Sequence, residues 1–119
     1  MKVTNFQNQN KVKNPHGITS HKMYDRPEGL IMHLQLAAGE KLKPHITPVN
    51  VAFYVLEGNP TILVGAEKQQ MRPDVLVESP KDIVHCIYNE TDRPVRVLAI
   101  KMPNPTTKTI FVEEEERHN

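Results

Sequence analysis

Ten prolines and five glycines cut this 119-residue chain into short pieces, and that punctuation leaves little room for helices. Proline lacks a backbone donor and clashes with the preceding helical turn, so a helix rarely runs through one. The pieces between the breaks are rich in Val, Ile, Leu, Tyr and Phe, the residues that suit a pleated, half-buried surface. Strands are predicted over residues 18–24, 30–36, 49–56, 61–64, 75–78, 84–88, 95–101 and 109–112. Turn clusters bound them: Pro27-Glu28-Gly29, Ala38-Gly39, Glu57-Gly58-Asn59-Pro60, Arg72-Pro73-Asp74 and Thr91-Asp92-Arg93-Pro94. Residues 66–71 read either as a hairpin tip or as one helical turn. Short strands at this spacing imply an all-β antiparallel sandwich or barrel.

The length allows one domain with one enclosed core. Residues 15–112 are read as that domain. Residues 1–14, rich in Asn, Gln and Lys, are read as a flexible segment, loosely held or pinned by a neighbouring subunit. The run 113–119 is read as a solvated acidic tail. Apolar side chains make up 38% of the chain and Trp is absent, which suits a small barrel better than a large layered enzyme. Fifteen basic and fourteen acidic residues are interspersed, so no concentrated basic face is offered to nucleic acid. No apolar run reaches the roughly 18 residues that a membrane helix needs, and residues 1–9 carry no apolar signal-peptide core. A single cysteine, Cys86, rules out an internal disulfide and fits a reducing compartment, so a cytoplasmic location is expected.

Two segments carry a more specific pattern. In the first, Gly39 is followed after five residues by His45; Thr47 and Val51 come next, and Gly58 closes the run. In the second, Pro80, Asp82, His85 and Asn89 stand in fixed register. Together they resemble the two signature motifs of the cupin superfamily, small barrels that often hold a metal on histidines from both motifs. The resemblance spans roughly residues 30–101 and implies a double-stranded β-helix, the jelly-roll cupin barrel. It departs from the pattern at three places. Thr47 stands where a second histidine would be, Val51 where a glutamate would be, and Asp82 where a glycine would be. Asp tolerates the left-handed turn that glycine usually supplies, so the last swap is mild.

Alternation along a strand gives His45, Thr47 and Val51 the same parity, provided that no bulge intervenes near Pro48, which cannot donate to a ladder. His85 shares parity with Ile83 and Ile87. In a barrel the two histidines would converge inside, and the resemblance makes His45 and His85 the candidate metal ligands. The predicted pocket is Thr47, Val51, Phe53, Val55 and Ile87, with His33 as a third-ligand candidate. His33 lies opposite the apolar face of Leu30, Met32, Leu34 and Leu36, and the sequence leaves open whether that face is lumen or exterior. His16 and His21 are further candidates to complete the site. Glu57 has the right parity, yet it lies about 20 Å along an extended strand from Val51. Cys86 alternates away from His85 and reads as a packed thiol; Tyr54 and Tyr88 also fall opposite the histidines.

A facial iron site needs two histidines and a carboxylate, and a catalytic zinc site needs three protein ligands. The matching positions supply two imidazoles. Two readings therefore stand side by side. One is a divalent transition metal (Zn, Ni, Cu, Fe or Mn) on His45 and His85, binding a small oxygen-rich ligand. The other is a metal-free small-molecule-binding or accessory barrel without catalytic activity. No catalytic residue or reaction is assigned. By analogy with cupins of this length a homodimer is expected, with residues 18–24 as a strand available for exchange.

Overall fold

The computed structural model describes residues 1–112, so the acidic run 113–119 lies outside the described residues. Ten strands form two five-stranded antiparallel sheets. They are β1 (Thr19–Arg26), β2 (Gly29–Leu36), β3 (His45–Ile46), β4 (Asn50–Glu57), β5 (Thr61–Val64), β6 (Glu67–Gln70), β7 (Leu76–Ser79), β8 (Val84–Tyr88), β9 (Val95–Met102) and β10 (Ile110–Phe111). One sheet has the order β1-β2-β9-β4-β7 and the other β10-β3-β8-β5-β6. The crossovers between the sheets wind the chain into the double-stranded β-helix expected from the motifs. Among the described residues no helix is long and apolar enough to cross a membrane.

Eight of these strands fall where the punctuation placed them, with ends moved by one or two residues. Residues 66–71 resolve as a strand: β6 pairs with β5 from Thr61↔Gln70 to Val64↔Glu67, and Gly65 at φ +61° turns the hairpin. The predicted run 49–56 begins one residue later, and a separate strand, β3, precedes it. Pro44 and Pro48 bracket β3 and hold it to His45 and Ile46, since neither can donate to a ladder. Phe6–Asn8 form a 3-10 turn capped by the Asn5 side chain, which accepts from the Gln7 N–H at 2.9 Å.

Side chains facing between the sheets make the core: Leu34, Leu36, Val51, Phe53, Val55, Val95, Val97 and Ala99 from one, Ile62 and Ile87 from the other. Each large apolar side chain buried this way contributes roughly 1.5–3 kcal/mol. Cys86 is fully buried too, and its Sγ donates to the Leu42 carbonyl at 2.8 Å.

Two motif positions fix the turns. Gly58 sits at φ +83°, and a Cβ there would lie 2.4 Å from the Pro94 carbonyl oxygen, so only glycine fits. Asp82 takes φ +66°, the left-handed turn anticipated for the glycine position, and its N–H donates to the Thr47 carbonyl at 3.0 Å. The two motifs are sewn together further along. Gly39 N–H donates to the Asn89 carbonyl and Asn89 N–H to the Glu40 carbonyl, both at 2.9 Å. The buried Asn89 side chain donates to the carbonyls of Leu36 and Arg93 at 3.0 and 2.7 Å. This lacing sets β3 against β8, with His45 directly opposite His85.

Candidate functional site

Register places the two motif histidines in contact. His45 Nε2 and His85 Nε2 are 3.1 Å apart, and their rings meet edge to face with centroids 4.4 Å apart. Chemistry at the outer ends of the pair fixes where the protons sit. The Lys43 carbonyl, 2.7 Å from His45 Nδ1, can only accept, so His45 carries its proton on Nδ1 and leaves Nε2 bare. His85 must then donate from Nε2, and its own Nδ1 accepts from the Ser79 hydroxyl at 2.7 Å. Thr47 Oγ1, 3.1 Å from His85 Nε2, shares that proton. The result is a directed chain: Ser79 hydroxyl to His85, His85 to His45, His45 to the Lys43 carbonyl. All but the last member are buried side chains.

These histidines are held neutral. Burial, the neighbouring His45 and then Lys101 push the His85 imidazole down to about 3. Burial also lowers His45, against the opposing pull of the Lys43 carbonyl. Phe53 packs its ring against His85 with centroids 5.1 Å apart and shuts water away from that side.

The pair lies at one side of a cavity of about 350 Å³ between the sheets. Met32, Leu34, Leu42, Val51, Phe53 and Ala99 supply apolar walls, and Phe111 of β10 joins them from the C-terminal end. Lys101 of β9 enters the same cavity, and burial lowers its pKa. His16 lines it from the loop before β1, its ring 4.9 Å from that of His45. The Lys43 N–H donates to His16 Nδ1 at 2.8 Å, which leaves Nε2–H as the donor of that ring. Burial and then His45 push His16 down to about 4.

Of the residues expected in the pocket, Val51 and Phe53 line the cavity and Thr47 touches His85. Val55 and Ile87 do not line it; they are fully buried further into the core. Ile83, given the parity of His85, precedes β8 and is 38% exposed. His33 is on the other side of its sheet. It is buried beneath the N-terminal segment, with the Phe6 ring stacked on it at 4.0 Å, and it accepts from Arg96 through Nε2 at 3.1 Å. Arg96 in turn pairs with Glu57 at 2.8 Å, so neither His33 nor Glu57 reaches the histidine pair. His21 opposes His33 across β1 and β2 and faces the same outer layer.

Sequence reasoning missed Lys101 and Ser79. Both were legible by alternation: Lys101 continues the inward run Val95, Val97, Ala99, and Ser79 follows Val77 two residues on. His16, named as a further candidate although its loop offers no periodic signal, does line the cavity.

Whether the site suits a metal follows from its donors. Nitrogens 3.1 Å apart would match two neighbouring positions on one ion, since imidazoles bind zinc at about 2.0–2.1 Å. The third imidazole of the cavity, His16, has its Nδ1 taken by the Lys43 N–H, and its ring stands 4.9 Å from that of His45 without forming a three-ligand group with the pair. Thr47 offers a neutral hydroxyl, Val51 is aliphatic, and none of the described carboxylates lines the cavity. Among the described residues no group of three or more His, Cys, Asp or Glu is placed to hold a metal ion. Lys101 adds positive charge to the same space. The residues present do not fit a resident metal.

The family model for the cupin domain matches residues 32–101, from β2 to the inward lysine of β9. No curated protein matches the chain. Solved structures share the fold at low identity. The protein TT1209 from Thermus thermophilus is 23% identical with a TM-score of 0.77, covering 88% of this chain and all of that one. The polyketide cyclase RemF from Streptomyces resistomycificus is 17% identical with a TM-score of 0.82, covering 98% of this chain and 88% of its own. KdgF from Halomonas sp. is 16% identical with a TM-score of 0.76, covering 88% of this chain and 97% of that one.

Proposed function

The chain belongs to the cupin superfamily, and we propose that its barrel is a receptacle for one small oxygen-rich molecule, held without a resident metal. One observation carries this reading: a cavity of about 350 Å³ with apolar walls and a histidine pair at one side. That is the size and make-up of a small-molecule pocket, in which apolar surface supplies affinity and a few polar groups fix orientation. A ligand oxygen that accepts can compete with Thr47 for the His85 Nε2–H or take a hydrogen bond from the His16 Nε2–H. No reaction is carried over from the cyclase that shares the fold.

The test is a saturation-transfer NMR screen of small hydroxy, keto and carboxy compounds against the untagged protein. Binders are expected, and Ala99→Leu, which fills the cavity from β9, is expected to abolish them while leaving the melt unchanged to within a few degrees. Absence of binders, or binders indifferent to Ala99→Leu, would end the receptacle reading. A stoichiometric transition metal in elemental analysis, lost in both His45→Ala and His85→Ala, would end its metal-free part.

A further inference from the structure

Among the described residues, the charged groups that line the cavity are all of one sign. Lys101 and Lys108 are the lysines among them, and no Asp or Glu joins them. Lys108 comes from the segment leading into β10, whereas Lys101 rises from the middle of the five-stranded sheet, flanked by Leu30 of β2 and Val51 of β4. Neither strand neighbour can pair with it. Ion pairs such as Lys22 with Asp25 and Arg96 with Glu57 lie on the surface and do not involve this lysine.

Lys101 is part-buried in this largely apolar cavity, and among the described residues no carboxylate lines it, so the partial desolvation of its ammonium is not offset by an ion pair there. A replacement by Met or Leu would suit the surrounding Met32, Leu34 and Ala99 better. The lysine is therefore matched to something that enters.

Resting on the receptacle reading, the geometry points to a monoanionic carboxylate with an apolar body as the occupant, its carboxylate clamped between the Lys101 ammonium and the His16 Nε2–H. The two donors differ in kind. Lys101 supplies charge, and His16 supplies a directional neutral donor whose proton is set by the Lys43 N–H on its other nitrogen. His45 and His85, already satisfied by one another, would face the body of the ligand rather than its charge. Lys108 is exposed, whereas Lys101 is part-buried, so the clamp pairs one ammonium and a neutral donor with a single negative charge. A phosphate dianion would want more donors than these two. The burial that lowers the pKa of Lys101 would be offset when the anion arrives.

Isothermal calorimetry and histidine-ring NMR on the full chain at pH 7.5 test this with matched probes: hexanoate against hexanamide, phenylacetate against phenylacetamide, and inorganic phosphate. The acids are expected to bind at least about tenfold more tightly than their amides, since a charge-assisted hydrogen bond is lost in the amide. Lys101→Met is expected to erase that preference without losing the amide's affinity, and Lys101→Arg to restore part of it. Acid and amide binding equally to the parent protein would overturn the clamp and leave the receptacle standing. Phosphate binding while both acids fail would overturn the carboxylate assignment. No shift of any cavity resonance with acids or amides would sink both readings. The parent protein's own acid-to-amide ratio decides the matter even if Lys101→Met does not fold.

Discussion

Ser79→Ala is the sharpest probe of the histidine chain. In the parent, the Ser79 hydroxyl donates to His85 Nδ1 at 2.7 Å, and both residues are 1% exposed. Removing the hydroxyl leaves a bare ring nitrogen buried out of reach of solvent. A buried acceptor stripped of its partner costs about 1–3 kcal/mol. For a domain of this length, 1 kcal/mol corresponds to roughly 4 °C in melting temperature, so a fall of about 4–12 °C is expected. Thermal unfolding followed by circular dichroism at pH 7.5 measures it. Nitrogen-15 NMR of the imidazoles gives the companion observation. In the parent, His45 should carry its proton on Nδ1 and His85 on Nε2. A metal held between the rings would require the reverse for His85, with Nδ1–H donating to Ser79. Ser79→Ala melting within a degree of the parent, or a His85 proton on Nδ1, would refute the directed chain.

Acid should destabilise the fold below neutrality. The unfolded chain takes up a proton at His85 near pH 6.5 while the folded one resists until about pH 3, so stability is full above pH 6.5 and falls as pH drops through that window, by about 1.4 kcal/mol at pH 5.5 from this residue alone; urea midpoints at pH 7.5 and 5.5 check it, and equal midpoints would contradict it. Gly58→Ala should cost about 2–5 kcal/mol, because its Cβ would strike the Pro94 carbonyl from a left-handed backbone, whereas Asp82→Gly should change stability by no more than about 1 kcal/mol; urea unfolding of the two variants measures both. Phe6→Ala should free the N-terminal segment from His33, and limited trypsin digestion should then cut after Lys11 and Lys13 several-fold faster. Val51→Glu places a carboxylate directly across from Lys101 beside the histidine pair; calorimetry should find zinc binding in this variant and not in the parent, and no difference would mean that position 51 does not face the site.

The fold was legible because two kinds of signal agreed. Turn residues cut the chain into strands, and the spacing of Gly39, His45, Gly58, Pro80, His85 and Asn89 said how those strands pair. The site was legible only where parity met the motifs. His45, His85, Thr47, Val51 and Phe53 came out together because strands that pair in register bring equal parity to one face. His33 shows what parity alone withholds. Alternation set it opposite Leu34 and Leu36, as it is, but whether that face was lumen or exterior depended on a neighbour distant in sequence, Phe6, folding over it. Val55 and Ile87 show a second limit. Facing inward is not the same as facing a cavity, because the inner space is filled at one end of each strand and open at the other. Lys101 was overlooked since a lysine at the end of a strand usually marks its exit to solvent.

One position couples the chain's departures from the motif. Val51 stands where the resemblance leads one to expect a glutamate, and its cross-strand partner is Lys101. Opposed side chains on paired strands lie about 4.5–5.5 Å apart at Cβ, close enough for a glutamate to neutralise the ammonium while turning an oxygen toward the histidines. With valine there, no carboxylate opposes the lysine across the strand pair, and the histidines bond to one another, to Ser79, to Thr47 and to the Lys43 carbonyl. Valine rather than glutamate at this position leaves both the histidine pair and Lys101 without a carboxylate neighbour on β4. A cavity with a carboxylate opposite the lysine would attract cations; with valine, the charge that remains favours an anion. On the proposed reading, the missing carboxylate ligand and the unopposed lysine both follow from valine at position 51.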